Sequence, residues 1–264
     1  MTDYVTSDLG DRIGFDRYGS GPALVFVAGA GPYRAWDPHT TATAQRAADL
    51  GLTTLVYDRL GRGDSRVDGA ITLDRELAAV AAVIEAASGT AALCGHSSGC
   101  AVALAAAASG LPVTALVLFE APVGAIAGGA PDWAEEFRRR LTADERESAL
   151  QWYMKDMPPE WFEGARQSPG FSGMLAQLDG HQPDAEALAW TESAPLAELL
   201  GGIRVPVEAL VGEQAQPVMP AAAVAIASAI PGATHGTIAG AFHQWEVEPM
   251  AAELARFVTA AVVA

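Results

Sequence analysis

Short apolar runs alternate with longer segments of helical periodicity along most of this chain. Three runs are almost entirely apolar, which is typical of strands buried on both faces of a sheet: 23–27, 53–57 and 113–119. Less regular runs predict further strands at 91–94, 205–211 and 233–238. Helical periodicity predicts helices at about 41–50, 73–87, 98–109 and 249–262. Strands that alternate with helices predict an α/β fold with a mostly parallel sheet and helices on both of its faces.

Two parts of the chain depart from this alternation. Residues 4–18 mix polar and apolar positions and lead into a Gly-Ser-Gly-Pro turn, so we expect a small antiparallel start. The segment 122–195 has no clear strand, yet it holds four of the six tryptophans and three of the six methionines. We interpret 122–195 as a helical cap over the carboxyl ends of the strands, inserted into a single core formed by 1–121 and 196–264.

Composition excludes several classes of partner. The chain has 16 basic and 32 acidic residues, a net charge of −16, and a single lysine, Lys155. Phosphate backbones and anionic lipids would repel it, so we expect neither nucleic-acid nor membrane partners. No apolar run approaches the ~20 residues of a membrane span, and the N-terminus does not resemble a signal peptide, which predicts a cytoplasmic protein. Cys94 and Cys100 are then expected to be buried thiols rather than a disulfide.

The most informative motif is Gly95-His96-Ser97-Ser98-Gly99, which lies between a predicted strand and a predicted helix. A sharp turn there lifts the hydroxyl of the central serine clear of the sheet, and the two glycines leave room where side chains would clash. The helix that follows aims unpaired N–H groups at negative charge that develops nearby. We therefore predict Ser97 as a nucleophile. Ser98 is the alternative, but it suits better the role of an oxyanion donor through its backbone N–H.

This motif, the run Tyr-Asp-Arg-Leu-Gly-Arg-Gly-Asp-Ser at 57–65 and a late histidine together resemble the α/β-hydrolase fold family. The resemblance covers nearly the whole chain and places the variable cap of that family at 122–195. It implies a second oxyanion donor in the loop after an early strand. Ala28-Gly29-Ala30 stands there in place of the usual His-Gly pair, so the resemblance implies Ala30 as the donor. Within this run we predict a structural role, bonding loop backbone groups, for four side chains: Asp58, Arg59, Asp64 and Ser65.

A serine hydroxyl needs a neighbouring base, and histidine is suited to that task at neutral pH. The chain has five histidines. His39 and His181 fall in loop or cap segments, His235 falls within the last predicted strand, and His96 is expected to point away from the site. His243 follows the last predicted strand in a loop that returns toward the site, in the family order of serine, acid and histidine. We predict His243 as the base.

The acid departs from the usual family pattern. The loop after the penultimate strand reads Gly212-Glu213-Gln214-Ala215, with alanine where the family usually has aspartate. Glu120 closes an apolar strand, and a charge there is costly to bury unless something pairs with it. The carboxyl end of such a strand is also where parallel sheets place their sites. We predict Glu120 as the acid that orients His243, with Glu213 and a structural salt bridge as the alternatives.

Among hydrolases the chain is most similar to the zearalenone-lactonase type. That type pairs a Gly-x-Ser-Ser-Gly motif with a Glu-x-Pro at a strand end, here Glu120-Ala121-Pro122, and has no aspartate in the later loop, where this chain has Ala215. The resemblance implies a lactone or ester substrate of fairly apolar character. Cap side chains, with Trp190, Met154 and Met157 as the first candidates, could line its pocket or form the core of the cap itself.

We thus expect a cofactor-independent serine hydrolase that acts on a small apolar ester or lactone, as a monomer or a homodimer. The sequence has no metal-binding motif and no Gly-rich phosphate loop of the Walker or dinucleotide type. Two alternatives stay open. One is a cofactor-free lyase or perhydrolase on the same scaffold, and the other is a ligand receptor whose pocket binds without turnover.

Overall fold

A computed structural model describes residues 2–263 and shows one sheet through the middle of the molecule. The strands that it describes follow the spatial order β1-β2-β4-β3-β5-β6-β7-β8-β9. Their bounds are β1 (Asp3–Thr6), β2 (Arg12–Gly19), β3 (Ala23–Val27), β4 (Thr53–Tyr57), β5 (Ala91–His96), β6 (Val113–Phe119), β7 (Val207–Gln214), β8 (Thr234–Ala241) and β9 (Gln244–Trp245). The strands from β4 to β8 pair in parallel, and β1, β2 and β9 add antiparallel pairs at the two edges.

Helices connect these strands and cover both faces of the sheet. Their bounds are α1 (Pro38–Asp49), α2 (Leu73–Ala87), α3 (Ser98–Ala108), α4 (Ala130–Thr142), α5 (Arg146–Tyr153), α6 (Pro159–Gln167), α7 (Phe171–Ala176), α8 (Gln182–Thr191), α9 (Leu196–Leu200), α10 (Val218–Ala229) and α11 (Val247–Val263). Alternate residues of β3 illustrate the two layers: Leu24 and Phe26 belong to the apolar cluster with α1 and α11, whereas Val25 and Val27 belong to the cluster with α2, α3 and α10.

The predicted α/β architecture is confirmed, and four elements have the bounds that the sequence predicted: β3, β4, β6 and α2. The first helix begins at Pro38, three residues earlier than predicted. The Asp37 carboxylate caps it by accepting a hydrogen bond from the Thr40 N–H at 2.9 Å, and proline is well tolerated in a first turn. Strand β7 begins at Val207, two residues later than predicted, and directly follows Pro206.

The chain between β6 and β7 contains helices α4–α9 and, in the part that the structure describes, no strand. Helix α8 packs on α2 and α3 of the core, and α4 packs on α8. Trp133 and Trp152 form part of the interior of this segment, because each indole N–H donates to the other residue's carbonyl oxygen, at 3.1 and 3.0 Å. The segment is helical as expected, and its boundaries as a cap, 122–195, stay a prediction.

The two cysteines lie on neighbouring core elements, Cys94 on β5 and Cys100 on α3. Both are buried and free, and burial raises the pKa of each thiol. They therefore act as small apolar side chains at neutral pH. Within residues 2–263, no helix is long and apolar enough to cross a membrane.

Candidate active site

Ser97 occupies the sharp turn between β5 and α3. Its φ and ψ are 53° and −130°, a conformation that non-glycine residues rarely adopt. Hydrogen bonds on both sides hold this strained backbone: the Ser97 N–H donates to the Phe119 carbonyl at 3.0 Å, and its own carbonyl accepts from the Cys100 N–H at 2.9 Å. The turn therefore fixes the hydroxyl at the amino end of α3, above the carboxyl edge of the sheet.

Glycines make the close packing around this turn possible. A Cβ on Gly99 would lie 2.2 Å from the Val27 carbonyl oxygen, and one on Gly95 would lie 2.7 Å from the Cys100 Cα. On the opposite side, a Cβ on Gly29 would lie 3.0 Å from the Cβ of Ser97. The loop after β3 thus touches the turn directly, and the expectation that glycine is needed on both sides of Ser97 is confirmed.

Substitution of Gly99 by alanine is expected to lower the free energy of unfolding by about 3 kcal/mol, the upper end of overpacking costs, because the new methyl group would meet backbone oxygens that cannot move aside. Urea denaturation would measure the change. The matched control is Gly164→Ala on α6, where no atom lies within 4 Å of the new Cβ. Equal stabilities of the two variants would contradict the prediction.

His243 lies at the tip of the two-residue turn between β8 and β9. Phe242 and His243 have φ values of 55° and 64°, as a type I′ turn requires at both central residues. His96 supports the turn from below, since its Nε2 lies 3.0 Å from the His243 carbonyl oxygen. A carbonyl only accepts, so Nε2 carries the proton. Burial and the neighbouring His243 lower the pKa of His96 to about 3, which keeps its ring neutral.

His96 does not line the cavity that Ser97 lines, in keeping with the expectation that it points away from the site. Its ring nevertheless lies 4.9 Å from the ring of His243. Of the other histidines, His39 lies on α1 beside Trp245, His235 is exposed on β8, and His181 is buried between α7 and α8. Among the five histidines, His243 alone shares a cavity with Ser97.

Glu120 follows β6 directly and is 1% exposed. Its φ is 49°, and its N–H donates to the Leu210 carbonyl at 2.9 Å, so the backbone turns sharply at the strand end. One carboxylate oxygen accepts from the Gly212 N–H at 3.0 Å, and the other makes a short hydrogen bond with Nδ1 of His243. Glu213, the alternative acid, is exposed.

Opposing effects act on the Glu120 carboxylate. Burial opposes its ionisation, but the hydrogen bond and charge of His243 and the N–H of Gly212 outweigh burial, so the pKa of Glu120 lies below its ordinary value. At neutral pH the carboxylate is therefore ionised and accepts the Nδ1 proton. That interaction selects the His243 tautomer whose Nε2 carries a lone pair. An imidazole in this state can take a proton from a hydroxyl.

A largely apolar cavity of about 670 Å³, its mouth included, lies over Ser97 and His243. Ala30 and Ser98, the predicted oxyanion donors, line it next to Ser97. Its remaining lining consists mostly of apolar side chains from the helical segment and from α10, including Ile126, Trp133, Tyr153, Met157, Trp161, Leu188 and Met219. The site can therefore accept a small molecule with much apolar surface.

Of the three predicted substrate-binding residues, only Met157 lines this cavity. Met154 lines a second cavity of about 890 Å³, its open mouth included, that shares Ala30 with the first. Trp190 lines neither cavity and packs, partly buried, against the apolar core, so its role in substrate binding stays a prediction that the cavity linings do not support. The tryptophans that line the cavity over Ser97 are Trp133 and Trp161. The sequence contains no signal for this difference, since it does not show which face of a short helix between β6 and β7 meets the cavity.

The polar turn after β4 has the structural role that the sequence predicted. The Asp58 carboxylate accepts from the backbone N–H groups of Arg34 and Asp64, both at 2.8 Å. The Ser65 hydroxyl accepts from the Gly14 N–H at 3.0 Å. These bonds satisfy backbone N–H groups after β3, in the turn itself and on β2.

A parallel sheet with a strained serine turn, a histidine at the end of the last strands and an acid bonded to that histidine defines the class of protein. The model of the alpha/beta hydrolase family matches residues 24–260, and the chain belongs to this family. No curated protein matches the chain.

Solved structures agree with this assignment. An alpha/beta hydrolase from Sphaerobacter thermophilus is similar at 32% identity, with a TM-score of 0.82 over 97% of this chain and 99% of that one. A thermophilic esterase from Thermogutta terrifontis is 22% identical, with a TM-score of 0.66 over 98% and 96% of the two chains. An enol-lactonase from Burkholderia xenovorans is 17% identical, with a TM-score of 0.63 over 99% and 100%. The last two similarities show the fold.

Proposed function

We propose that this protein is a serine hydrolase that cleaves a carboxylic ester or lactone of a fairly apolar small molecule. The observation that carries the proposal is the hydrogen bond between the Glu120 carboxylate and Nδ1 of His243, at a cavity that His243 shares with Ser97. The three groups come from the ends of β5, β6 and β8, and all three residues have positive φ. Strained backbone at each position is typical of a functional site.

In the proposed first half-reaction, the Ser97 hydroxyl oxygen attacks the carbonyl carbon of the substrate while Nε2 of His243 takes its proton. The ionised Glu120 stabilises the imidazolium that forms. The carbonyl oxygen becomes an oxyanion, which the N–H groups of Ala30 and Ser98 bind. The C–O bond to the leaving oxygen then breaks, and the imidazolium returns its proton to that oxygen. The product is an acyl-serine and a free alcohol, or a tethered hydroxyl if the substrate is a lactone.

In the second half-reaction, water replaces the alcohol. Nε2 of His243 takes a proton from the water as its oxygen attacks the acyl carbon, and the same two N–H groups bind the second oxyanion. Collapse breaks the bond to the serine oxygen, which regains its proton from His243. A carboxylic acid leaves, and the free site is restored.

The shape of the site supports a bulky substrate. Aromatic and methionine side chains surround the space above Ser97, and the second cavity, lined by Met154, lies just across Ala30. The segment 122–195 contributes most of the lining of the first cavity and half of the lining of the second. We propose this segment as a cap over the reaction centre. Within the ester class, the finer hypothesis is a macrolactone of the zearalenone type, which rests on the Gly-x-Ser-Ser-Gly and Glu-x-Pro motifs.

The test is to treat the purified protein with an aryl phosphonate and map the modified peptide, then to assay p-nitrophenyl esters and macrolactones with product analysis. We expect one label per chain, on Ser97, and release of acid and alcohol from an ester or lactone. Failure of both labelling and ester turnover would refute the hydrolase. Turnover of aryl esters without any macrolactone cleavage would refute the lactone preference, and a peracid or elimination product would favour the perhydrolase or lyase alternative.

A further inference from the structure

Two arginines of the turn after β4 are fully buried although they carry charge. Arg59 and Arg62 are 0% and 1% exposed, and both bind the Asp184 carboxylate of α8, which is itself 0% exposed. Arg59 Nη1 lies 2.5 Å from one carboxylate oxygen, and Arg62 Nη2 lies 2.6 Å from the other. Removing three charged groups from water has a desolvation cost that their pairing offsets only in part. Apolar side chains could fill the same space without that cost, so packing alone does not explain this arrangement.

Each of the two guanidinium groups also donates to the loop after β3. Arg62 Nη1 donates to the Gly29 carbonyl oxygen at 2.6 Å, and Arg59 Nη1 donates to the Ala28 carbonyl oxygen at 3.0 Å. Arg62 Nη2 also bonds the Gly180 carbonyl at 2.7 Å, and Arg59 Nε bonds Glu76 at 2.9 Å. The two arginines therefore bind two consecutive peptide units of that loop: Arg59 binds the Ala28–Gly29 unit, and Arg62 binds the Gly29–Ala30 unit.

The two peptide units differ in their N–H groups, and only one of these N–H groups is a predicted oxyanion donor. The Gly29 carbonyl and the Ala30 N–H belong to the same unit, and the described chain has no cis peptide bond. In a trans peptide the C=O and N–H point in opposite directions. By holding the Gly29 oxygen on the interior side, Arg62 aims the Ala30 N–H to the opposite side. Ala30 lines the cavity over Ser97, and Gly29 packs against Ser97. Ala30 and Arg62 both line the second cavity as well.

We propose that Arg62, held in place by Asp184, is a positioning residue for the oxyanion hole. It fixes the plane of the Gly29–Ala30 peptide so that the Ala30 N–H meets the developing oxyanion. Because Asp184 lies on α8, the helical segment contributes to the geometry of the reaction centre and not only to the substrate pocket. Arg59, which holds the preceding peptide, has no such effect. This inference rests on the proposed function.

The test compares Arg62→Lys and Arg62→Met with Arg59→Lys and Arg59→Met, because both arginines are buried and both bind Asp184. Loss of an oxyanion donor costs on the order of 10²–10³ in kcat. We expect Arg62→Met to approach that loss and Arg62→Lys, which keeps a cationic donor, to retain about tenfold more activity. The substrate is p-nitrophenyl acetate, a small ester that need not enter the second cavity, which Arg62 also lines, so KM should stay within about threefold of wild type. Phosphonate labelling of Ser97 should slow in parallel.

The Arg59 variants are expected to lose comparable thermal stability yet keep kcat within about threefold, because the Ala28 carbonyl shares its peptide with the Gly29 N–H. Equal kcat losses in the two series, or Arg62 variants that lose only stability, would overturn the inference. If the Arg62 variants do not fold, Asp184→Asn is the variant to use, because it keeps both arginines. An unchanged kcat in Asp184→Asn would likewise overturn the inference. If wild-type protein neither labels at Ser97 nor cleaves esters, the proposed function itself fails.

Discussion

Replacement of Ser97 by alanine is expected to lower kcat for ester hydrolysis by a factor on the order of 10⁶, with residual activity near the level that binding and the oxyanion donors alone provide. The variant has no hydroxyl to form the acyl intermediate, and His243 has no serine proton to accept. Its fold should be retained, since the bonds that hold the turn come from the backbone N–H and carbonyl of residue 97. Burst kinetics with a p-nitrophenyl ester, and the loss of phosphonate labelling, would measure the effect.

Ser109→Ala is the matched control, because Ser109 caps the far end of the same helix and its hydroxyl bonds only the Ala106 carbonyl. It should be as active as wild type. The opposite of the expected result would be an active Ser97→Ala protein together with an inactive Ser98→Ala protein. That pattern would move the nucleophile by one residue and remove the basis for the whole site.

Replacement of Glu120 by glutamine is expected to lower kcat by a factor on the order of 10⁴, the loss seen when the orienting carboxylate of a serine hydrolase is replaced by an amide. The Gln amide oxygen could still accept from Gly212, but the side chain would no longer carry the charge that stabilises the imidazolium, and it could turn its NH₂ toward Nδ1 and select the wrong tautomer. Because the pKa of Glu120 lies below its ordinary value, the loss should persist across neutral pH.

Glu213→Gln provides the comparison. Glu213 is the carboxylate next to Gly212, it is exposed, and the sequence allowed it as the acid. We expect its replacement to leave kcat and KM unchanged. Steady-state kinetics of the two variants on one ester substrate decide the question: if Glu120→Gln stays active while Glu213→Gln collapses, the acid has been misassigned and His243 must reach a different partner during the reaction.

Much of the fold was readable from local pattern. Strands β3, β4 and β6 are buried on both faces, so nearly every residue in them is apolar and their ends coincide with the ends of the runs. Strands β7 and β8 end three residues beyond the runs that predicted them. Strand β7 continues through the polar, exposed Glu213 and Gln214, and β8 continues through Ala239-Gly240-Ala241, where small residues leave no clear apolar run. The two-residue strand β9 is too short to leave a pattern in the sequence. Because the tight turn that holds His243 is formed by the pairing of β8 with β9, the sequence did not predict that turn either.

The position of Ser97 is also local information, since a strand, a Gly-x-Ser-x-Gly turn and a helix occupy consecutive residues. Its contacts with the loop after β3 are not local. The pairing of Glu120 with His243 joins residues 123 positions apart, and the sequence offered two carboxylates for it. Only the order of β6, β7 and β8 in the sheet, with Gly212 between them, brings one of the two to Nδ1.

What the sequence determined by itself is therefore the class of fold, the central strands and the residue types that could react, because periodicity and turn chemistry act over a few neighbouring positions. The tertiary structure decided which carboxylate meets the imidazole, which aromatic side chains of the helical segment line the cavity over Ser97, and how Asp184 reaches Arg62. Those outcomes depend on how whole helices and strands pack, and packing joins side chains that no local pattern relates.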